Sequence, residues 1–187
     1  MRVLFLDFDG PLFSDRVIKF HPENNDTNST LRKFINRCND NGDTFGAKTT
    51  SYWKMDEVAV GMLNNLMELS NIRVVVSSTW RHLYSRESIE YLFLLNDLRV
   101  VLHDDWCTRL REDCGMYASQ FPYSRHNRRT EIEEYISRHD IFTYAILDDP
   151  SSGMDLIEHR IQERVVLVNP FIGMELEHYQ QLKDLLV

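Results

Sequence analysis

The chain has 187 residues, of which 43% are hydrophobic and 27% are charged, and its formal net charge is -8 at pH 7. This length and apolar content are typical of one globular core and exclude a chain that is disordered over most of its length. The acidic balance argues against capture of a nucleic-acid duplex by a broad basic face, but it is compatible with a local phosphate-binding pocket.

The first apolar run, Met1–Leu6, ends at Asp7 and Asp9. This run is too short for the apolar region of a signal peptide or for a membrane span. It therefore predicts a buried strand in a cytoplasmic protein with no membrane partner. The three cysteines lack the paired spacing of a zinc site, and we expect them to be reduced thiols.

Apolar runs rich in β-branched residues alternate with stretches that have a helical pattern. Each run is continuous, which is typical of strands buried on both faces of a sheet. The predicted strands are Val3–Leu6, Val74–Val76, Val100–Leu102, Ala145–Leu147 and Val165–Val168. The predicted helices are Asp56–Leu69, Ser85–Leu95, Arg128–Arg138 and Asp155–Gln162. This alternation predicts an α/β fold with a central parallel sheet of about five strands flanked by helices.

The segment from about residue 12 to residue 54 is the least regular part of the chain. Residues His21–Thr50 are rich in Asn, Asp, Thr and Gly, and only Leu31–Cys38 has a short amphipathic pattern. We interpret this segment as a small insertion over the edge of the sheet. The whole chain, residues 1–187, is then expected to form a single domain.

Acidic residues follow the first predicted strand. Asp7, Asp9 and Gly10 lie at its carboxyl end, which is where ligands bind in open α/β sheets. Alternation along an extended backbone predicts that Asp7 and Asp9 point to the same side, and Gly10 leaves the backbone free to turn. A carboxylate pair in a turn is by itself more often a solvated loop. The interpretation therefore depends on the other strand ends.

Two further strand ends carry polar groups. Ser77 and Ser78 follow the second strand, and their hydroxyls and backbone amides are groups that bind phosphate oxygens. Asp148 and Asp149 follow the fourth strand and form a second acidic pair. Two acidic pairs would repel each other in a buried site, so a divalent cation between them is expected.

The order and placement of these motifs resemble the haloacid dehalogenase (HAD) superfamily of phosphohydrolases over most of the chain. Leu6–Gly10 resembles its first motif, Val75–Ser77 its second and Leu147–Asp149 its fourth. Arg128, with Arg129 as an alternative, is similar to the basic residue of its third motif. The resemblance implies a Rossmann-like HAD fold with a small cap insertion after the first strand.

Two longer runs, Ser77–Arg81 and Arg128–Ile132, are similar to a small HAD phosphatase subgroup found in phage and in RNA-repair proteins. The sequence also departs from the wider superfamily. Pro11 stands where many relatives carry Thr or Val, and an Arg in the third motif has a wider, planar donor group than a Lys.

The resemblance implies a role for each motif residue. Asp7 would attack phosphorus, while Asp9 would protonate the leaving oxygen and then activate the hydrolytic water. Ser77 and Ser78 would bind phosphoryl oxygens, and Arg128 would offset the negative charge around Asp7.

The resemblance also implies a Mg²⁺ cofactor. Its ligands would be Asp7, the backbone carbonyl of Asp9 and Asp148, with Asp149 as a second ligand or an orienting group.

Side chains beside the motifs have two interpretations each. Trp80 and Arg81 could contact a base or a second phosphate, or they could be a buried Trp and a salt-bridged Arg. His103–Trp106, after the third predicted strand, is interpreted as a polar loop at the rim of the site and not as a metal site.

The leading hypothesis is Mg²⁺-dependent hydrolysis of a phosphomonoester through an aspartyl-phosphate intermediate. The substrate would be a phosphorylated small molecule such as a nucleotide, or a nucleic-acid end. The short insertion would leave the site open, which favours a large substrate or a terminal phosphate on a polymer. The alternatives are phosphoryl transfer to another acceptor and a phosphate-binding module without turnover. The presence of both Asp7 and Asp9 counts against the binding module, since binding alone needs no acid/base carboxylate.

Overall fold

A computed structural model of the chain describes residues 1–20, 29–43, 53–108, 127–152 and 161–187. The strands are β1 (Arg2–Leu6), β2 (Ile72–Val76), β3 (Leu102–Cys107), β4 (Thr143–Asp148) and β5 (Val165–Leu167). The α-helices are α1 (Asp15–Phe20), α2 (Ser29–Asp40), α3 (Glu57–Leu69), α4 (Arg86–Leu95), α5 (Asn127–Arg138) and α6 (Leu176–Leu186). Short 3₁₀ turns span Thr79–His82, Pro150–Ser152 and Gln162–Arg164.

The five strands form one parallel sheet in the order β3-β2-β1-β4-β5. Leu6 at the end of β1 pairs with Val76 of β2 and with Leu147 of β4, so these three strands end in step. The predicted α/β fold is confirmed, and the strand that leads to Asp7 lies between those that lead to Ser77 and Asp148.

Alternating side chains of the central strands pack on opposite faces of the sheet. One face, called the α5 face here, carries apolar side chains of the central strands and packs against residues of α5 and its neighbouring loops. Its buried residues are Val3, Phe5, Val75, Ile132, Tyr135, Ile141, Ile146 and Ile161. The other face carries Leu4, Leu6, Val74, Val76, Ala145 and Leu147 and packs against the remaining helices. Burial on both faces explains why these runs are continuously apolar.

The segment between β1 and β2 contributes to the same core as the sheet. Phe34 and Cys38 of α2 and Leu12 of the preceding loop are fully buried within the larger hydrophobic cluster. At the start of α3, Asp56 accepts a hydrogen bond from the backbone amide of Val58 at 2.9 Å, as an N-cap residue does. Of the predicted insertion, residues 21–28 and 44–52 lie outside the described residues. The division of the chain into domains stays a prediction.

Two expectations about the elements need correction. The third strand was expected at Val100–Leu102, but β3 spans Leu102–Cys107, so His103–Trp106 is part of a strand and the polar-loop interpretation was wrong. β3 is an edge strand and is only partly buried, and such a strand tolerates polar side chains. Helix α6 was not predicted. The helix predicted at Asp155–Gln162 lies largely outside the described residues.

No helix in the described ranges is both long enough and apolar enough to cross a membrane.

Candidate active site

Three predicted site residues lie together at the carboxyl ends of the central strands, on the α5 face of the sheet. This position is called the corner here. Asp7 follows β1 with the same parity as Val3 and Phe5, and its amide still donates to the Leu147 carbonyl at 2.9 Å. By the same alternation, Ser77 after β2 and Asp148 at the end of β4 point to the α5 face. Asp7, Ser77 and Asp148 are 4%, 0% and 0% exposed, so the corner is buried.

Arg128, in the first turn of α5, supplies the positive charge at this corner. Its Nη1 lies 2.9 Å from Asp7 Oδ2, 2.8 Å from Asp148 Oδ2 and 3.0 Å from Asp148 Oδ1. The two carboxylates therefore converge on a single nitrogen atom. Arg129 instead pairs with Glu133 on the flank of α5 at 3.0 Å. Of these two arginines, Arg128 is therefore the one that contacts Asp7 and Asp148.

The charges at this corner shift one another's ionisation. Burial acts to raise the pKa of Asp7, but the Arg128 guanidinium and hydrogen bonds with Asp148 and Ser78 lower it below its ordinary value. Burial, followed by the negative charge of Asp7, raises the pKa of Asp148 well above its ordinary value. The environment thus favours Asp7 as the ionised carboxylate of the pair, which is the state that a nucleophile needs.

Two buried oxygen atoms at this corner have no hydrogen-bond partner among the described residues. They are Oδ1 of Asp7 and Oγ of Ser77. Leaving a buried polar atom unpaired is costly, so each such atom calls for an explanation. A bound phosphate would accept a hydrogen bond from the Ser77 hydroxyl and would bring its phosphorus atom to the unpaired Asp7 oxygen. The donor set of Asp7, Asp148 and Asp149 is all oxygen and therefore fits Mg²⁺.

The loop after β1 turns sharply and holds Asp9. The amides of Leu12 and Phe13 both donate to the Phe8 carbonyl at 2.9 Å, and the Gly10 amide donates to the Phe13 carbonyl at 3.0 Å. Asp9 Oδ2 accepts a hydrogen bond from Trp80 Nε1 at 3.1 Å. This contact joins residues 71 positions apart and fixes one oxygen of the proposed acid/base carboxylate.

The side chains of Trp80 and Arg81 are buried in the protein interior. Trp80 is 6% exposed, and its ring stacks on Phe13 with ring centroids 5.0 Å apart. Arg81 is 5% exposed and donates to the backbone carbonyls of Ser77 at 2.7 Å and Ser78 at 2.5 Å. Of the two interpretations of this pair, the structure shows the buried one.

Arg81 also connects the turn after β2 to α5. Its Nη2 pairs with Glu131 Oε2 at 2.5 Å, and the same oxygen lies 3.4 Å from the Thr108 hydroxyl. Burial lowers the pKa of Arg81 and raises the pKa of Glu131, because it disfavours the charged form of each group. Glu131 was not predicted as a site residue. Its position three residues after Arg128, one helical turn away on the same face, is the sequence signal for it.

Comparison with known families gives this site a context. A family model described as the HAD domain in Swiss Army Knife RNA repair proteins matches residues 3–179. The chain belongs to this HAD family. The predicted resemblance is thereby confirmed, and the parallel sheet agrees with the Rossmann-like fold. Searches of curated proteins and of solved structures gave no match.

Membership of this HAD family supports a phosphohydrolase of the HAD type in general, and the HAD family generally uses Mg²⁺. Within that frame, the structure brings Asp7, Ser77, Arg128 and Asp148 into one buried corner. Asp9 lies in the adjoining loop, held by Trp80.

Asp149 packs directly against Gly10, which ties the first and fourth motifs together. Gly10 has a φ of +89°, and a Cβ built there would lie 2.9 Å from both Cβ and Oδ2 of Asp149. Only glycine fits this position without a shift. Asp149 itself is held by the Ser151 amide, which donates to Oδ1 at 2.5 Å.

We expect Gly10→Ala to lower the free energy of unfolding by about 2 kcal/mol and to reduce activity. The positive φ alone costs about 1–2 kcal/mol, and the added methyl group displaces Asp149. Gly42→Ala is the matched control, because Gly42 has a φ of +78° but no described atom within 4 Å of the added Cβ. Urea unfolding and steady-state kinetics measure both effects. Equal losses of stability and activity in the two variants would contradict the contact argument.

Proposed function

We propose that this protein is a Mg²⁺-dependent phosphomonoester hydrolase that removes terminal phosphates from nucleic acids through an aspartyl-phosphate on Asp7. The observation that carries the proposal is the state of Asp7. Its carboxylate is buried, has a lowered pKa, has one oxygen paired with Arg128 and has the other without a described partner. This second oxygen is the atom expected to attack phosphorus.

The reaction balances with the residues at this corner. Asp7 Oδ1 forms a bond to phosphorus while the bond from phosphorus to the leaving oxygen breaks, and Asp9 donates a proton to that oxygen. Asp9 then accepts a proton from water, whose oxygen attacks phosphorus as the bond to Asp7 breaks. The products are the alcohol and inorganic phosphate, and Asp7 and Asp9 return to their starting states.

The remaining groups stabilise negative charge and hold the substrate. The Ser77 hydroxyl, which has no hydrogen-bond partner among the described residues, would donate to a phosphoryl oxygen, with Ser78 beside it. Arg128 lies within 2.9 Å of Asp7 and would offset the charge that accumulates there. Mg²⁺, held by Asp7, Asp148 and the Asp9 carbonyl with Asp149 nearby, would supply further positive charge beside the phosphate.

A nucleic-acid end is the proposed substrate because the matching family is described from RNA repair proteins. The net charge of -8 fits recognition of an end better than retention of a long duplex. The buried, reduced thiol of Cys38 fits the predicted cytoplasmic location.

The test is release of inorganic phosphate from a panel of sugar phosphates, mononucleotides and oligonucleotides with 3′ or 5′ phosphates. We expect the highest kcat/KM with an oligonucleotide end, complete loss in excess chelator and recovery with added Mg²⁺. Preference for mononucleotides would indicate a nucleotidase. Phosphate appearing on an added alcohol in place of water would indicate a phosphotransferase, and binding without release would indicate the binding module. Full activity in chelator would overturn the metal assignment.

A further inference from the structure

We propose that Phe171 is a stacking platform for a base of the nucleic acid whose terminal phosphate is bound at Asp7. This inference rests on the proposed function and names a specificity residue for it. Its basis is an exposed aromatic side chain that a rigid turn presents at the catalytic edge of the sheet.

The turn that carries Phe171 starts beside Asp148. Leu167 of β5 pairs in register with Asp148 of β4, and the Val168 amide donates to the Asp148 carbonyl at 2.9 Å. Phe171 follows Leu167 by four residues, which is at most about 14 Å of extended chain. Because all five strands are parallel, this turn lies at the same carboxyl edge as the motif residues. Phe171 is therefore within reach of a nucleotide close to a phosphate at that edge.

Hydrogen bonds within the turn fix its backbone. The Asn169 side chain accepts from the Phe171 amide at 2.9 Å. The Asn169 carbonyl accepts from the Ile172 amide at 3.0 Å and from the Gly173 amide at 2.8 Å. Gly173 has a φ of +91°, so the turn closes through a conformation that favours glycine.

The same turn is fastened to the segment that leads from the Asp9 loop into α1. The carbonyl of Pro170 accepts from the Asp15 amide at 2.9 Å, and the carbonyl of Phe171 accepts from the Arg16 amide at 3.2 Å. A Cβ on Gly173 would lie 3.0 Å from Ser14 Cβ, which shows how closely the two segments pack. Phe171 therefore keeps a fixed position relative to the first motif.

The aromatic side chain nevertheless remains in water. Phe171 is 66% exposed, whereas Phe8 and Phe13 of the loop after β1 are buried. An isolated exposed apolar residue is common and needs no explanation. A rigid exposed aromatic at the edge of the sheet that carries the phosphate site is different, because stacking of bases on aromatic rings is how proteins hold single-stranded nucleic acid without reading its sequence. The backbone bonds that fix the turn reduce the entropy lost when a base stacks there.

The experiment compares Phe171→Ala with Phe142→Ala. Phe142 is 84% exposed and precedes β4, so it lies at the opposite edge of the sheet and is a matched control. Two readouts are measured with each variant: kinetics on a phosphorylated single-stranded oligonucleotide and on glycerol phosphate, and binding of the oligonucleotide by fluorescence anisotropy. Phe171→Tyr and Phe171→Leu separate ring stacking from apolarity.

We expect Phe171→Ala to raise KM and Kd for the oligonucleotide about tenfold or more, with glycerol phosphate kinetics unchanged. Phe171→Tyr should keep wild-type values, Phe171→Leu should resemble Phe171→Ala, and Phe142→Ala should change nothing. Equal behaviour of Phe171→Ala and Phe142→Ala overturns the proposal while the phosphatase stands. Equal losses on both substrates overturn it in favour of a structural role. A wild-type protein that releases no phosphate refutes the proposed function, and the anisotropy arm still decides the platform.

Discussion

Asp7→Asn is expected to eliminate the phosphoenzyme and to lower turnover by a hundredfold or more. A neutral amide is a poor nucleophile toward phosphorus, and no other carboxylate of the described site combines burial, a lowered pKa and a partnerless oxygen. The substitution changes little in size, and Arg128 keeps both oxygens of Asp148 as partners. A stable, folded and inactive protein is the predicted result.

Asp9→Asn is the informative comparison, because Asp9 is proposed to transfer protons in the catalytic cycle whereas Asp7 attacks phosphorus. The amide oxygen can still accept the hydrogen bond from Trp80, so the loop is expected to keep its conformation. Loss of proton transfer should slow both half-reactions, most strongly for leaving groups that require protonation. An activated aryl phosphate should therefore restore phosphoenzyme formation in Asp9→Asn but not in Asp7→Asn.

The measurement is an early quench of Asp9→Asn with the activated substrate, followed by mass spectrometry of the phosphorylated peptide. The phosphate should map to the peptide that contains Asp7. Substantial turnover by Asp7→Asn, or a label on any other residue, would overturn the assignment of the nucleophile.

Asp148→Asn is expected to raise the Mg²⁺ concentration needed for half-maximal activity by about tenfold or more, since one charged ligand is lost. Asp148 is fully buried, and its two oxygens face Arg128. An Asn can still offer Arg128 one oxygen, so folding should be affected less than metal affinity. Titration of activity with Mg²⁺, alongside thermal unfolding in chelator, separates these two effects.

Asp149→Asn is the matched comparison for the metal assignment, because Asp149 is the neighbouring carboxylate of the same motif and is also buried. We expect a smaller shift there, in keeping with an orienting role beside Gly10. If Asp148→Asn leaves the Mg²⁺ dependence unchanged and Asp149→Asn shifts it, the ligand role belongs to Asp149.

The central strands could be predicted because their burial leaves a pattern in the local sequence. β1, β2 and β4 are buried on both faces, so each contains an unbroken apolar run of at least three residues. Edge strand β3 lacks this signature, because its side chains are only partly buried and its sequence is polar. Pairing of β3 with β2 is a tertiary contact, and no local pattern in the sequence encodes it.

In the site as well, some features follow from the local sequence and others depend on tertiary contacts. The proximity of Asp7, Ser77 and Asp148 could be predicted from the sequence. Their parallel strands end at the same level of the sheet, and each residue follows its strand at a position whose side chain points to the same face. The sequence left Arg128 and Arg129 as alternatives, since a shift of one residue at a helix start rotates its side chains by about 100°. The contacts of Trp80 with Asp9 and of Arg81 with Glu131 depend on packing between distant segments.

The Arg81–Glu131 pair has a mechanical consequence for the catalytic corner. Through Arg81 the turn that carries Ser77 is attached to the first turns of α5, and Arg128 stands on that same part of the helix. Unwinding of the first turn of α5 would therefore remove the Arg128 guanidinium from Asp7. The same event would detach the turn that carries Ser77 from the helix. The position of Arg128 and the turn that carries Ser77 are therefore expected to be lost together, so the corner behaves as one cooperative unit.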